Sequence, residues 1–294
     1  MTPIWNTALS RLNRFAVVAV AATLGLVAVS GPAMAEGEAK HPRKAGFSFE
    51  GPFGTFDQGQ LQRGYKVYRE VCAACHGMDM LSFRTLGERT GPFWDPHAPN
   101  AAENRFVKAL AAEIEVADID TETGEPIRRP ATPADRFPNP YPNATAAAAA
   151  NGGAVPPDLS VMAKARHDGA NYIYSLLSGY VAPPAGLQIR QGQYYNPYMA
   201  GDLTPFWTGD PEKVPYGGFI AMPNPLRPGQ VTYDDGTAQT VDQYSKDVAA
   251  FIAWASEPKA TERKQAGLGV MIFLALFAGL TYASYRRIWK GVAH

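Results

Sequence analysis

The chain has 294 residues, 27 basic and 27 acidic side chains, 46% apolar residues and only two cysteines. That apolar share excludes a wholly disordered chain, and two cysteines exclude a disulfide-rich scaffold. The 28 Gly and 25 Pro, with no three-residue period, call for many turns and exclude collagen.

Residues 1–35 read as an export signal. Arg11 and Arg14 precede an apolar run from Phe15 to Val29, and the small-residue site Ala33-Met34-Ala35 follows. Removal after Ala35 leaves an exported domain over residues 36–265. The first element predicted there is a helix capped by Asp57, with Gln60 three residues on as the second half of a capping box. Leu61, Tyr65, Tyr68 and Cys72 recur along it at helical spacing. Gly64 interrupts the helix at a cost of about 1 kcal/mol relative to Ala and permits another helix to approach closely.

That helix leads into Cys72-Ala73-Ala74-Cys75-His76, the C-x-x-C-H signature of covalent haem attachment. Two thiols three positions apart on one helical turn can both reach the vinyl groups of one porphyrin, and the next imidazole can face the iron. A thioredoxin-type redox pair would need βαβ surroundings, which the sequence lacks. No further Cys–His set completes a zinc site. One motif implies one haem c, with His76 as an axial ligand. Such attachment takes place outside the cytoplasm, which agrees with the export signal.

Six acids, Glu113, Glu115, Asp118, Asp120, Glu122 and Glu125, then fall within 13 residues with no base among them. They read either as a solvated mobile loop or as a surface for a basic protein partner. Residues 36–265 hold all 27 acids and 22 bases, a formal −5, so nucleic acid is excluded as a partner. The alanine run 146–150 is a further helix candidate, and another helix is expected from about Leu159. The histidines at 41, 97, 167 and 294 have no ligand context.

For the second axial position the sequence offers several methionines. Met78 and Met80 lie too near His76 in sequence to reach the opposite haem face. Met162 sits where helical spacing favours packing. Met199 and Met222 lie in Pro/Gly-rich loops, and the prolines after Met222 reduce the entropy lost on ligation, which favours it. A second strong helix is predicted from about Val241 to Glu257, capped by Thr240 with Gln243 and ended by Pro258. Phe251 or Trp254 is expected against the Gly64 turn. Residues 266–285 carry no charge and span about 30 Å as a helix, one hydrocarbon core. Residues 286–294, with Arg286, Arg287 and Lys290, then form a basic cytoplasmic tail.

The segments FSFEGPFGTFDQGQLQRGYKVYREVCAACHGM, FPNPYPN, NGGAVPPDLSVMAKARHDGANYIYSLLSGY, QYYNPYMAGD, AMPNPL and VTYDDGTAQTVDQYSKDVAAFIAWASEPK stand in that order before the apolar tail. In this the chain resembles the cytochrome c1 family, the haem subunits of cytochrome bc1 complexes, over about residues 47–290. The resemblance implies a mainly α fold: a class I cytochrome c-like haem domain with long loops and one C-terminal transmembrane helix. It implies Met222 as the axial thioether, although Asn224 stands where the family usually has proline. It places Pro157 in the loop facing the haem, its carbonyl accepting from the His76 ring, and Arg166 with Tyr172 beside the haem propionates. It implies one-electron transfer with no catalytic site of the chain's own. Cytochrome b and the Rieske iron–sulfur protein are the implied partners, a soluble or membrane-bound cytochrome c the acceptor, and the lipid bilayer the anchor. The export signal makes this a bacterial inner-membrane protein, single-pass, with its haem domain periplasmic. The other readings are a different membrane-anchored c-type cytochrome and a haem peroxidase-like enzyme with an open iron site.

Overall fold

The computed structural model describes residues 39–291; the expected export signal and His294 lie outside them. Helix α1 (Gln58–Val67) starts where the Asp57 carboxylate accepts from the Gln60 amide at 2.7 Å. The helix widens into a π turn over Tyr68–Cys72, where the Ala73 amide reaches back five residues to the Tyr68 carbonyl at 2.8 Å. The haem motif therefore leaves the regular α register just before its first cysteine.

Helix α2 (Arg105–Ala112) is capped by Asn104. Strands β1 (Glu115–Ile119) and β2 (Pro126–Pro130) follow as an antiparallel hairpin that pairs Val116 with Arg129 and Asp118 with Ile127. The acidic segment is thus a folded hairpin. Its two strands bring together charges that lie apart in sequence, Glu115 with Arg128 at 3.0 Å and Asp118 with Arg129 at 2.5 Å, while Glu113, just before β1, meets Arg69 of the π turn at 2.6 Å. Asp120, Glu122 and Glu125 remain at its exposed turn.

Helix α3 (Ala144–Ala150) contains the alanine run and is capped by Asn143. The helix expected from Leu159 is absent. Residues 160–168 form turns, such as Ala165 N to Val161 O at 3.0 Å. Asp168 at φ +62° and Gly169 at φ +47° delay the helix, and α4 runs from Gly169 to Leu177. Short strands β3 (Tyr194–Asn196) and β4 (Gly218–Ile220) pair antiparallel beside a small core of Leu187, Tyr195 and Leu203.

Helix α5 (Val241–Ser256) crosses α1 at Gly64. A Cβ at Gly64 would lie 2.1 Å from the Asp247 carbonyl and 2.7 Å from the Phe251 Cβ, so only glycine permits this approach. Phe251 makes the expected contact, with Trp254 stacked behind it at 5.6 Å. The two capping-box glutamines turn elsewhere. The Gln60 and Gln243 amides both donate to the fully buried Asp247 carboxylate, at 3.1 and 2.8 Å, and Arg63 Nε pairs with it at 2.9 Å. A buried carboxylate requires such partners.

Helix α6 (Ala260–Ile288) is, among the described residues, the helix long and apolar enough to cross a membrane. It begins before the uncharged run. Its first turn is bound into the domain, with Ala260 and Thr261 buried and Lys259 paired with Glu88 at 2.9 Å.

Candidate functional site

After the π turn the chain closes a short turn, with Cys75 N and His76 N both donating to the Cys72 carbonyl, at 3.1 and 2.9 Å. The two thiols are unpaired and half-buried. Burial, with Cys75 adding to it, pushes the Cys72 thiol up to about 12, which marks an apolar setting.

The segment Pro157–Ser160 lies along residues 76–80 and fixes them through backbone and side chain alike. His76 Nδ1 lies 2.8 Å from the Pro157 carbonyl. Leu159 N donates to Gly77 O at 2.9 Å, Asp79 N to the Asp158 carboxylate at 2.9 Å, and Met80 N to Ser160 Oγ at 3.1 Å. A carbonyl can only accept, so the His76 proton sits on Nδ1 and Nε2 keeps a free lone pair. Burial pulls the His76 ring below its ordinary value, against the opposing Pro157 bond and Asp158 charge, which keeps the ring neutral and able to ligate.

A Cβ at Gly77 would meet Asn139 Oδ1 at 2.0 Å, so any larger residue there would have to displace the Asn139 side chain. Asn139 Nδ2 in turn donates to Asp79 at 3.1 Å, and Tyr141 OH lies 3.9 Å from Cys75 Sγ. FPNPYPN thus braces the motif from the other side, a role that no local pattern in that string announces.

The methionines separate by environment. Met78 is fully buried in the core and Met80 is exposed. Met162 and Met222 both pack, partly buried, against the main core, which Cys72, Ala73 and Tyr172 also flank. Met199 receives the Tyr172 hydroxyl at 3.7 Å. The Met222 carbonyl is held at 2.9 Å by the hydroxyl of Tyr180, a half-buried phenol whose desolvation raises its pKa. Tyr180 went unnoticed in the sequence, where 42 residues separate it from Met222. Arg166 is exposed, and its guanidinium donates to the Ala165 carbonyl at 3.2 Å.

This donor set fits a covalently held haem: two free thiols, an imidazole with one nitrogen fixed and the other open, and thioethers bordering the same core. Among the described residues, no group of three or more His, Cys, Asp or Glu side chains could hold a metal ion without it.

The model of the Cytochrome C1 family matches residues 47–292. Cytochrome c1 of Rhodospirillum rubrum is 41% identical over 285 residues, covering 92% of this chain and 95% of that protein. Cytochrome c1 2, heme protein, mitochondrial, of Arabidopsis thaliana is 42% identical over 280 residues, 94% of this chain and 81% of its own. Cytochrome b/c1 of Bradyrhizobium diazoefficiens is 42% identical over 273 residues, 86% of this chain, which spans only 36% of that longer protein.

Proposed function

The chain belongs to the cytochrome c1 family, and on that premise we propose that it is the haem-bearing electron-transfer subunit of a cytochrome bc1 complex, taking electrons from a Rieske iron–sulfur protein and delivering them to a cytochrome c. It carries no catalytic site of its own. One observation supports this most directly. His76 directly follows two unpaired thiols, with Nδ1 committed to Pro157 at 2.8 Å and Nε2 open to a metal.

When bound, the haem supplies a reversible one-electron change at its iron. The chain does the rest. Cys72 and Cys75 hold the group through thioether bonds, so it cannot dissociate during turnover. His76 offers Nε2, oriented by Pro157. Met222 offers its thioether from the loop after β4, where Tyr180 pins the Met222 carbonyl and the next residue, Pro223, stiffens the backbone. Arg166 and Tyr172 serve the propionate side. A neutral imidazole, a thioether and an apolar wall all favour a high potential.

Helix α6 anchors the domain to the bilayer as a single pass. Because its first turn is folded into the haem domain, that domain and the basic residues Arg286, Arg287 and Lys290 lie on opposite sides. The basic end is cytoplasmic by the positive-inside rule and the haem domain periplasmic. The reading extends to cytochrome b and the Rieske protein as neighbours in the complex.

Replacing the thioether tests the ligand assignment. Met222→Leu is expected to lower the midpoint potential in a redox titration and to let carbon monoxide bind the reduced protein, with haem still attached by staining after denaturing electrophoresis. An unchanged potential removes Met222 from the ligand set.

A further inference from the structure

The point where α6 leaves the domain is tied to a second surface feature. Lys264 stands two residues before the uncharged run that starts at Ala266, about 3 Å along a helix axis. A lysine at that depth usually extends its ammonium toward lipid headgroups. Here the ammonium folds back into the domain, with Nζ donating to the Phe49 carbonyl at 2.6 Å and the Gly54 carbonyl at 3.3 Å. These bonds fix the turn 49–54 to the helix at the level where its charged segment gives way to its apolar one.

The turn reverses tightly. Gly51 has φ +73°, and a Cβ at Gly54 would lie 2.1 Å from the Glu50 carbonyl. The Phe47 and Phe49 rings stack with centroids 4.9 Å apart, Phe56 lies tilted against Phe49 at 4.5 Å, and together they brace the turn from the protein side. The one charge on the turn, Glu50, is drawn away to Asn171 at 2.5 Å. What remains facing outward is Gly51, Pro52 and the ring of Phe53, which is 74% exposed.

We propose that Phe53 is a second membrane contact, its ring seated in the interfacial layer of the bilayer so that the haem domain is held at a set height by two points. The inference rests on α6 being the membrane span. The helix itself makes the contacts that position the turn, and its described residues from Leu268 onward are exposed. The surface continuous with Phe53 is therefore the lipid-facing one. A neutral, aromatic, proline-stiffened tip suits the headgroup boundary.

The test uses the full haem-loaded chain carrying Phe53→Cys. With Cys72 and Cys75 in thioether linkage the new thiol is the one that a nitroxide reagent can label. The unsubstituted chain is labelled in parallel, and labelling there would expose a failure of the haem reading rather than of this one. In phosphatidylcholine–phosphatidylglycerol vesicles, the label is expected to collide more with oxygen than with an aqueous nickel chelate, at a shallow depth. Free access to the nickel chelate would overturn the proposal. In the complex purified with its partner subunits, retained access to oxygen in lipid supports it. A label shielded from both reagents would mean that a protein subunit covers Phe53, which also overturns it. An unaltered Soret band in the variant shows that the fold is intact for either outcome.

Discussion

Two regions of the domain set an arginine between two carboxylates, and solvent separates what the two arrangements achieve. At the α1–α5 crossing, Arg63 reaches Asp235 at 2.7 Å and Asp247 at 2.9 Å, and the Asp247 side chain is wholly buried. On the hairpin, Arg129 reaches Asp118 at 2.5 Å and Asp135 at 2.7 Å, with all three side chains between 21% and 41% exposed. Distances alone would rank the two alike. Burial makes the first a condition for packing two helices, whereas the second shapes a surface element that water can largely replace.

The sharpest way to break that comparison is Asp247→Ala. It leaves Arg63 with one partner and orphans the Gln60 and Gln243 amides inside the crossing. A loss of about 3–5 kcal/mol is expected, the scale for removing one partner of a buried pair. Denaturant unfolding of the detergent-solubilised chain, followed by circular dichroism, measures it. A cost under about 1 kcal/mol would put the crossing in the same class as a surface pair.

Gly64→Ala follows in size and pits two effects against each other. Alanine favours a helix interior by about 1 kcal/mol. Its Cβ, however, would stand 2.1 Å from the Asp247 backbone oxygen, which cannot swing aside as a side chain could. Overpacking of this kind costs about 1–3 kcal/mol or more, so a net loss is expected in the same unfolding experiment. A stabilised variant would show that the helices can separate without cost, and that the buried carboxylate does not depend on their approach.

The same contrast shows what could be read from the sequence. The caps of α1 and α5 were legible because Asp57 and Thr240 act within three residues. The fates of Gln60 and Gln243 were not, since both turn to a carboxylate that belongs to the tertiary crossing. The C-x-x-C-H motif is local and declares itself. Pro157, 81 residues from His76, came only through resemblance to a family. The hairpin was missed because its bases follow its acids in sequence and meet them only across the strands. The helix expected at Leu159 fails for a local reason. Asp158 takes the Ser160 amide at 2.7 Å in a turn, and the left-handed Asp168 postpones the helix to Gly169.

The smallest effect belongs to Asp135→Asn, and pH reveals it better than stability does. Arg129 grips Asp135 with two nitrogens, Nη1 at 2.7 Å and Nη2 at 3.0 Å, and the Thr132 amide and hydroxyl add to it. The Arg129 hydrogen bonds above all, helped by those from Thr132 and opposed by slight burial, hold the carboxyl well below its ordinary 3.8. A depressed carboxylate contributes stability above its unfolded value and loses that contribution as pH falls toward its folded one. At pH 5 the variant hairpin should therefore be cut faster by an acid protease than the unsubstituted hairpin, with α1 and α5 equally protected in both. Below pH 3.8 the gap should narrow progressively, closing only as the pH approaches the depressed folded value at which Asp135 takes up the proton that removes its charge. A gap in cleavage that stays constant through that range would mean that shape, not charge, holds the hairpin, and the two arginine sites would then differ in kind as well as in burial.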